Sequence, residues 1–424
     1  MDENILMSNA KNIKGRIFYG WIIASVSFCM TCTAFGILYS FGVFFKAWVA
    51  EWAISRAFVS GIFSVAFLSY GVASVVMGSL TDRYGPRKII AVGGLIMGAG
   101  CCLTALSHSV GWMYLTWGVM IGIGTGTSYS PTVSTVSRWF NDRKGLAVGI
   151  AVSGLGVGTL VFSPLTETLK TALGWRATAF ILGFIVWAVY FTGAFIIRRN
   201  PEEMGLQPFS RPIKPSGKCV EGNPMGMANE NQLTPLSLGK AIRQSNFWKL
   251  FTVHGFWAVG FTIPLVHLVP YSTDMGVLSN AAAALLASIG AASVAGRVCL
   301  GALSERLGTR VSLISLLTFQ AATMIWLSVA DTPWMLWIFS FAFGFSYGGL
   351  ASVFPLMTAE LFGLRAMGSI FGVILLGATL GGTVGPAMAG FIFDISRSYG
   401  IAFLSGAVAM VIGVALSLSL HKAA

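Results

Sequence analysis

Gly78-Ser-Leu-Thr-Asp82-Arg83-Tyr-Gly85-Pro-Arg87 recurs in weaker form as Gly301-Ala-Leu-Ser-Glu305-Arg306-Leu-Gly308-Thr-Arg310, 223 residues further on. The same offset carries Gly145, Gly149, Gly154 and Gly158 onto Gly368, Gly372, Gly377 and Gly381. Two distant segments in one register mark an internal repeat, which is hard to obtain by chance in a chain with 51 glycines. In both copies the charged turn follows a long apolar run. Each copy therefore reads as the end of one membrane-spanning helix and the start of the next.

The composition agrees. The chain has 424 residues, 55% hydrophobic and 10% charged, with a mean hydropathy of +0.77. Soluble domains carry about 25% charged residues, so this is a polytopic membrane protein. Apolar runs long enough to cross about 30 Å recur twelve times, near 18–45, 58–80, 88–107, 111–137, 145–167, 176–197, 247–273, 280–303, 311–330, 334–358, 367–392 and 399–420. An even number puts both termini on one side. With that side cytoplasmic, its segments hold 21 of the 27 basic residues, against five in the outer loops (Lys46, Arg56, Lys170, Arg176, Arg397). That imbalance sets the orientation and accounts for the net charge of +12 without a nucleic-acid partner.

The first sixteen residues are polar and end in Lys11, Lys14 and Arg16, with no short apolar region and cleavage site after them. The first helix is expected to be retained as an anchor. The six cysteines show no metal spacing and five lie in apolar runs, so buried thiols and no metal site are expected. Residues 198–246 form the only long polar segment, with Pro201, Pro208, Pro212, Pro215, Pro224 and Pro235. This segment reads as a cytoplasmic linker, with a short amphipathic helix near Leu236–Arg243. The expected fold is an all-α membrane protein of twelve transmembrane helices in two pseudo-symmetric six-helix bundles, 1–197 and 247–424, joined by the linker. Parallel repeats of this kind hold a binding site between them at mid-membrane.

The run Ala281–Gly301, AAAALLASIGAASVAGRVCLG, is uncharged until Arg297. A charge within a span costs at least ~2.5–3.5 kcal/mol and usually marks a pathway. The offset maps Arg297 onto Ser74, so the repeat itself does not require a cation there. At 1.5 Å per residue Arg297 lies about 25 Å into the helix, below the midplane. Ser293 and Gly301 stand one turn to either side and Glu305 two turns below, so no resident acid is adjacent. A guanidinium without a partner can form a bidentate pair with an incoming carboxylate. The alternative is snorkelling to the inner interface or local pairing.

The loop from Gly78 to Lys88 resembles the signature loop of the major facilitator superfamily. Tyr39-Ser-Phe-Gly-Val-Phe-Phe-Lys46 with Trp52, Ser55 and Arg56, and the segment Arg138 to Gly154, resemble the first helix and the helix 5 entry of monocarboxylate transporters. Tyr19-Gly-Trp21 and His267-Leu-Val-Pro270-Tyr-Ser-Thr-Asp274 are similar to bacterial members of that group and to oxalate/formate antiporters. The resemblance implies the major facilitator fold and places the protein in a bacterial inner membrane. It also implies a helix 8 arginine for the substrate carboxylate, which falls on Arg297. For Gly78, Asp82, Arg83, Gly85 and Arg87 it implies a role in switching between inward- and outward-open states; a tight solvated turn at Gly85 and Pro86 is the plainer reading. Animal members carry a lysine where Tyr39 stands and an aspartate where Ser293 stands, so their proton relay does not carry over intact.

Candidate proton-handling residues are instead Asp274, at the outer end of helix 7, and His267 two turns earlier on the same face. A solvated loop residue and a satisfied structural histidine are their respective alternatives. Tyr129 and Tyr347 can donate hydrogen bonds near the midplane, Leu38, Tyr39 and Phe343 can form an apolar wall, and Ser293 is a further candidate for substrate binding; each aromatic can equally be packing.

The expected function is secondary transport of a small monocarboxylate such as lactate or pyruvate, in symport with a proton, with membrane lipid as the surrounding partner and no cofactor. Oxalate/formate-type anion exchange is the nearest rival. Those relatives use a second cation in helix 11, whereas 366–393 contains no Lys or Arg. Drug efflux would call for an acidic residue in the cavity. A transport-silent sensor is a further class, although no soluble signalling domain is evident. Enzymatic activity is not expected, since no nucleophile–base set, metal spacing or phosphate loop appears.

Overall fold

Hydrocarbon offers the backbone no hydrogen-bond partners, so apolar runs of this length must satisfy their own peptide groups as helices. The computed structural model describes residues 18–140, 143–209, 238–363 and 367–420. Among these, twelve helical passes follow one another. α1 runs from Tyr19 to Trp52 with an interruption at Ser40. α2 is Arg56–Tyr84 and α3 Pro86–Ala105. α4 spans 110–139 through a π-helical stretch at Tyr114–Ile121. α5 (144–173) and α6 (175–196) are continuous except at Gly174, whose φ of 80° turns the chain. α7 is Ser245–Asp274, α8 Ser279–Leu307, α9 Thr309–Ser328, α10 Pro333–Phe362, α11 Met367–Ser396 and α12 Tyr399–Leu418. The surface helix expected near Leu236–Arg243 is a single turn, Leu238–Ala241; residues 236 and 237 lie outside the described residues.

The helices pack as the repeat dictates. α1 lies on α5 and α7 on α11; between the halves, α2 crosses α11 and α5 crosses α8. The last two pairings exchange under the 223-residue offset. The glycine series explains the first two. A Cβ at Gly158 would stand 2.2 Å from the Cys32 carbonyl oxygen on α1, and one at Gly381 would stand 1.9 Å from the Gly255 carbonyl oxygen on α7. Small residues here let the backbones approach closely. Gly145, Gly149 and Gly372 have open space instead. Gly381→Leu drives a side chain into fixed backbone and is expected to destabilise the protein by about 3 kcal/mol or more. Gly372→Ala is expected to stay within about 0.5 kcal/mol. Thermal unfolding of the two purified variants checks the contrast.

The repeated turns are equally specific. Gly85 and Gly308 adopt φ of 84° and 86°, a region that favours glycine. Arg87 donates from Nε to the Ala194 carbonyl (2.9 Å) and from a terminal nitrogen to Phe195 (3.1 Å), while Arg310 donates to the Leu418 carbonyl. Each arginine thus satisfies free carbonyls at the C-terminus of α6 or α12, where a cation is also favoured by the helix dipole.

Candidate functional site

A cavity of about 770 Å³ lies between the two halves. It runs past the first turns of α5 and the last turns of α8 and α10, so its mouth is at the end of the molecule that carries the linker. Leu146 and Val298 line it there and are exposed. Arg297 stands on its wall. One terminal nitrogen donates to the Val152 carbonyl of α5 at 2.8 Å. Nε is buried and has no hydrogen-bond partner, and no carboxylate forms an ion pair with Arg297 among the described residues. The guanidinium lies 6.0 Å from the centre of the Tyr347 ring.

Of the candidate substrate-binding residues, Tyr39, Tyr129, Arg297 and Tyr347 line this cavity. Leu38, Ser293 and Phe343 do not, and for these three the expectation is corrected. Leu38 is turned about 100° from Tyr39 around α1 and is fully buried in the core. Ser293 sits at the α5–α8 crossing, where a Cβ at Gly156 would meet its hydroxyl at 2.5 Å, and it donates to the Gly290 carbonyl at 2.8 Å. Phe343 is one turn from Tyr347 but stacks on Phe339 (5.0 Å) beyond the cavity's closed end. The sequence reading missed Trp257 and Phe261 on α7, Phe35 on α1 and Phe67 and Tyr70 on α2, all of which line the cavity. Their spacings of three and four residues were the available signal.

The opposite end is shut by charges. Asp274 on α7 accepts from Lys46 Nζ (2.6 Å) and from Arg56 (2.7 Å), both on the other half. Arg56 also donates to the Tyr399 hydroxyl (2.7 Å) and lies 3.9 Å over the Phe393 ring. Asp394 at the end of α11 accepts from the backbone N–H groups of Arg56 (3.1 Å) and Ala57 (2.9 Å), capping α2 across the interface. Beneath this cluster His267 is fully buried, with Nδ1 3.2 Å from the Tyr399 hydroxyl and Nε2 3.0 Å from the Pro386 carbonyl and 3.2 Å from Ser60. The helix persists through Pro270, and His267 and Asp274 are linked through Tyr399, which lies against His267 and accepts from Arg56, the partner of Asp274. Asp394, Tyr399 and the pairing role of Arg56 were not foreseen.

The signature-loop residues are remote from the cavity, and their described contacts stay within the first half. A Cβ at Gly78 would meet Ser130 of α4 at 2.6 Å, Arg83 lies over its neighbour Tyr84 at 5.3 Å, and Arg87 caps α6. The side chain of Asp82 lies outside the described residues.

Two pseudo-symmetric bundles around a central cavity that is closed at one end define a membrane transporter. The chain belongs to the Major Facilitator Superfamily, whose family profile matches residues 26–386 and 279–423. Within it, the chain is similar to the monocarboxylate transporters over nearly its whole length. It is 27% identical to monocarboxylate transporter 13 of Bos taurus over 404 residues, covering 95% of this chain and 89% of that one. Against monocarboxylate transporter 12 of Mus musculus it is 28% identical over 410 residues, covering 93% and 83%. Among solved structures, it superposes with a TM-score of 0.73 on a bacterial homologue of the human lysosomal transporter Spinster, in an inward-facing and occupied conformation. That match is 16% identical and covers 95% of this chain and 97% of the other.

Proposed function

We propose that the protein is a secondary active transporter of small monocarboxylates of the lactate and pyruvate type, working as a proton symporter by alternating access. The observation that carries this reading is Arg297, a cation on the wall of the central cavity with no acidic partner among the described residues. Arg297 is half-buried, and the terminal nitrogen that does not bond Val152 has no hydrogen bond among the described residues, which leaves it for a carboxylate; such charge-assisted pairs are about twice as strong as neutral hydrogen bonds. A single cation on the cavity wall suits one carboxylate, and the named function of the relatives supports that class. The absence of any Lys or Arg from 366–393 weighs against a dicarboxylate exchanger of the oxalate/formate type. In this reading 1–197 and 247–424 rock against each other about the linker 198–246, both termini are cytoplasmic, and the cavity faces inward.

Proton coupling is assigned to His267 and Asp274. The Pro386 carbonyl only accepts, so Nε2 of His267 carries the proton. Arg56 donates to the Tyr399 hydroxyl, which leaves that hydroxyl's own proton for Nδ1. A second proton on His267 would turn Nδ1 into a donor and force Tyr399 to reorient beside Arg56 and Asp274, loosening the outer closure. Uptake of labelled lactate, pyruvate, oxalate and formate into proteoliposomes, with and without a pH gradient, tests both parts. The expected result is lactate and pyruvate uptake that rises when the outside is acidic. Asp274→Asn is expected to abolish gradient-driven accumulation while leaving lactate binding in place. Oxalate uptake above lactate would sink the substrate assignment, and unchanged accumulation in Asp274→Asn would remove Asp274 from the coupling.

A further inference from the structure

We infer that the site prefers monocarboxylates with a flat aromatic body, such as aryl-substituted 2-hydroxy or 2-oxo acids, over three-carbon acids; this rests on the carboxylate reading above. The inner end of the cavity is built of rings from both halves. On one side Trp257, Phe261 and Tyr347 overlap, with centroids 4.5, 5.2 and 6.0 Å apart. On the other, Phe35 meets Tyr39 at 5.7 Å, Tyr70 at 5.3 Å and Tyr129 at 6.1 Å. The wall is set before a ligand arrives. The Trp257 indole N–H donates to Oε1 of the fully buried Gln320 at 2.8 Å, which fixes the ring plane. Arg297 lies at the edge of this stack, beside Tyr347.

A three-carbon acid spends its carboxylate on Arg297 and offers these rings a single methyl group. An aryl acid keeps the same ion pair and adds a ring against the aromatic residues that line the cavity. Each aromatic pair is worth about 2- to 12-fold in affinity beyond simple burial. A flat π-system gains the ring-on-ring contact that a puckered one lacks. No Asp or Glu lines the cavity among the described residues, so the ammonium of an aromatic amino acid would go unpaired there.

Inhibition of labelled L-lactate uptake in proteoliposomes by unlabelled lactate, 3-phenyllactate, 3-cyclohexyllactate and phenylalanine tests this. Half-inhibition by phenyllactate is expected at a concentration at least about tenfold below lactate, with cyclohexyllactate at least threefold weaker than phenyllactate and phenylalanine weakest. Phenyllactate loaded inside the vesicles is expected to speed lactate entry, as an exchanged substrate does. Trp257→Leu is expected to reduce the phenyllactate-to-lactate advantage below threefold; this ratio is insensitive to how much protein is active. Phenyllactate no better than lactate, inhibition without exchange, or the full advantage surviving in both Trp257→Leu and Phe261→Leu would overturn the inference. Lactate carried with phenyllactate rejected removes this inference alone. If neither acid enters in an Arg297-dependent way, the monocarboxylate reading itself fails.

Discussion

Arg297→Ala is expected to weaken monocarboxylate binding by roughly 30-fold to several thousand-fold, which amounts to loss of uptake at millimolar substrate. The magnitude follows from the cost of removing one member of a desolvated ion pair, about 2–5 kcal/mol. Among the described residues the Arg297 side chain has the Val152 carbonyl alone as a hydrogen-bond acceptor, so its removal takes one such hydrogen bond from the fold. Deleting a costly charge offsets that loss, and the melting temperature is expected to stay nearly unchanged. Arg297→Lys should fall between, since it keeps a point charge and loses the planar two-donor edge. Uptake measured beside thermal unfolding separates the effects: lost transport with intact folding supports the role, and equal loss of both would mark Arg297 as structural.

Arg56→Ala is expected to shift the protein from its present state toward one open at the opposite end. The ion pairs at that end are not equal. Lys46 and Asp274 keep side-chain exposures of 41% and 34%, so water screens their pair and its contribution is small. Arg56 is only 16% exposed and joins Asp274, Tyr399 and the Phe393 ring, three contacts with the other half. The Asp394 cap on α2 adds about 1 kcal/mol to the same closure. Conformations of a working transporter differ by a few kcal/mol, so losing the Arg56 contacts is enough to move the minor state to a large share. Spin labels on cysteines placed at Ala50 and Ser279, near the ends of α1 and α8 at the closed side, report the change. A single short distance is expected for the parent and an added longer distance for Arg56→Ala. An unchanged distribution would show that the charges decorate the closure without holding it.

How far the sequence carried these conclusions depended on the range of the signal. The offset of 223 residues was readable in a single chain because both halves repeat the same local constraints. It anticipated the paired positive-φ glycines Gly85 and Gly308 and the paired close approaches at Gly158 and Gly381. Arg297 was legible for a different reason, as a lone charge in an apolar run. Depth along α8 followed from the rise per residue, but direction around the helix did not, and that is why Ser293 was placed with the cavity when it lies at the α5–α8 crossing. The outer closure was beyond local reading. Arg56 and Asp394 meet across 338 residues, and neither carries a spacing that points to the other. The aromatic wall is an intermediate case: Trp257 and Phe261 show helical spacing, which core packing produces just as readily.

Arg297 is proposed to receive the substrate carboxylate. Equilibrium binding of labelled L-lactate to the detergent-purified protein tests it without requiring transport, using lactamide as an uncharged competitor of the same shape. Saturable binding that Arg297→Ala abolishes, and that a hundredfold excess of lactamide leaves in place, is the predicted result. Unchanged affinity in Arg297→Ala, or displacement by lactamide as effective as by lactate, would contradict it.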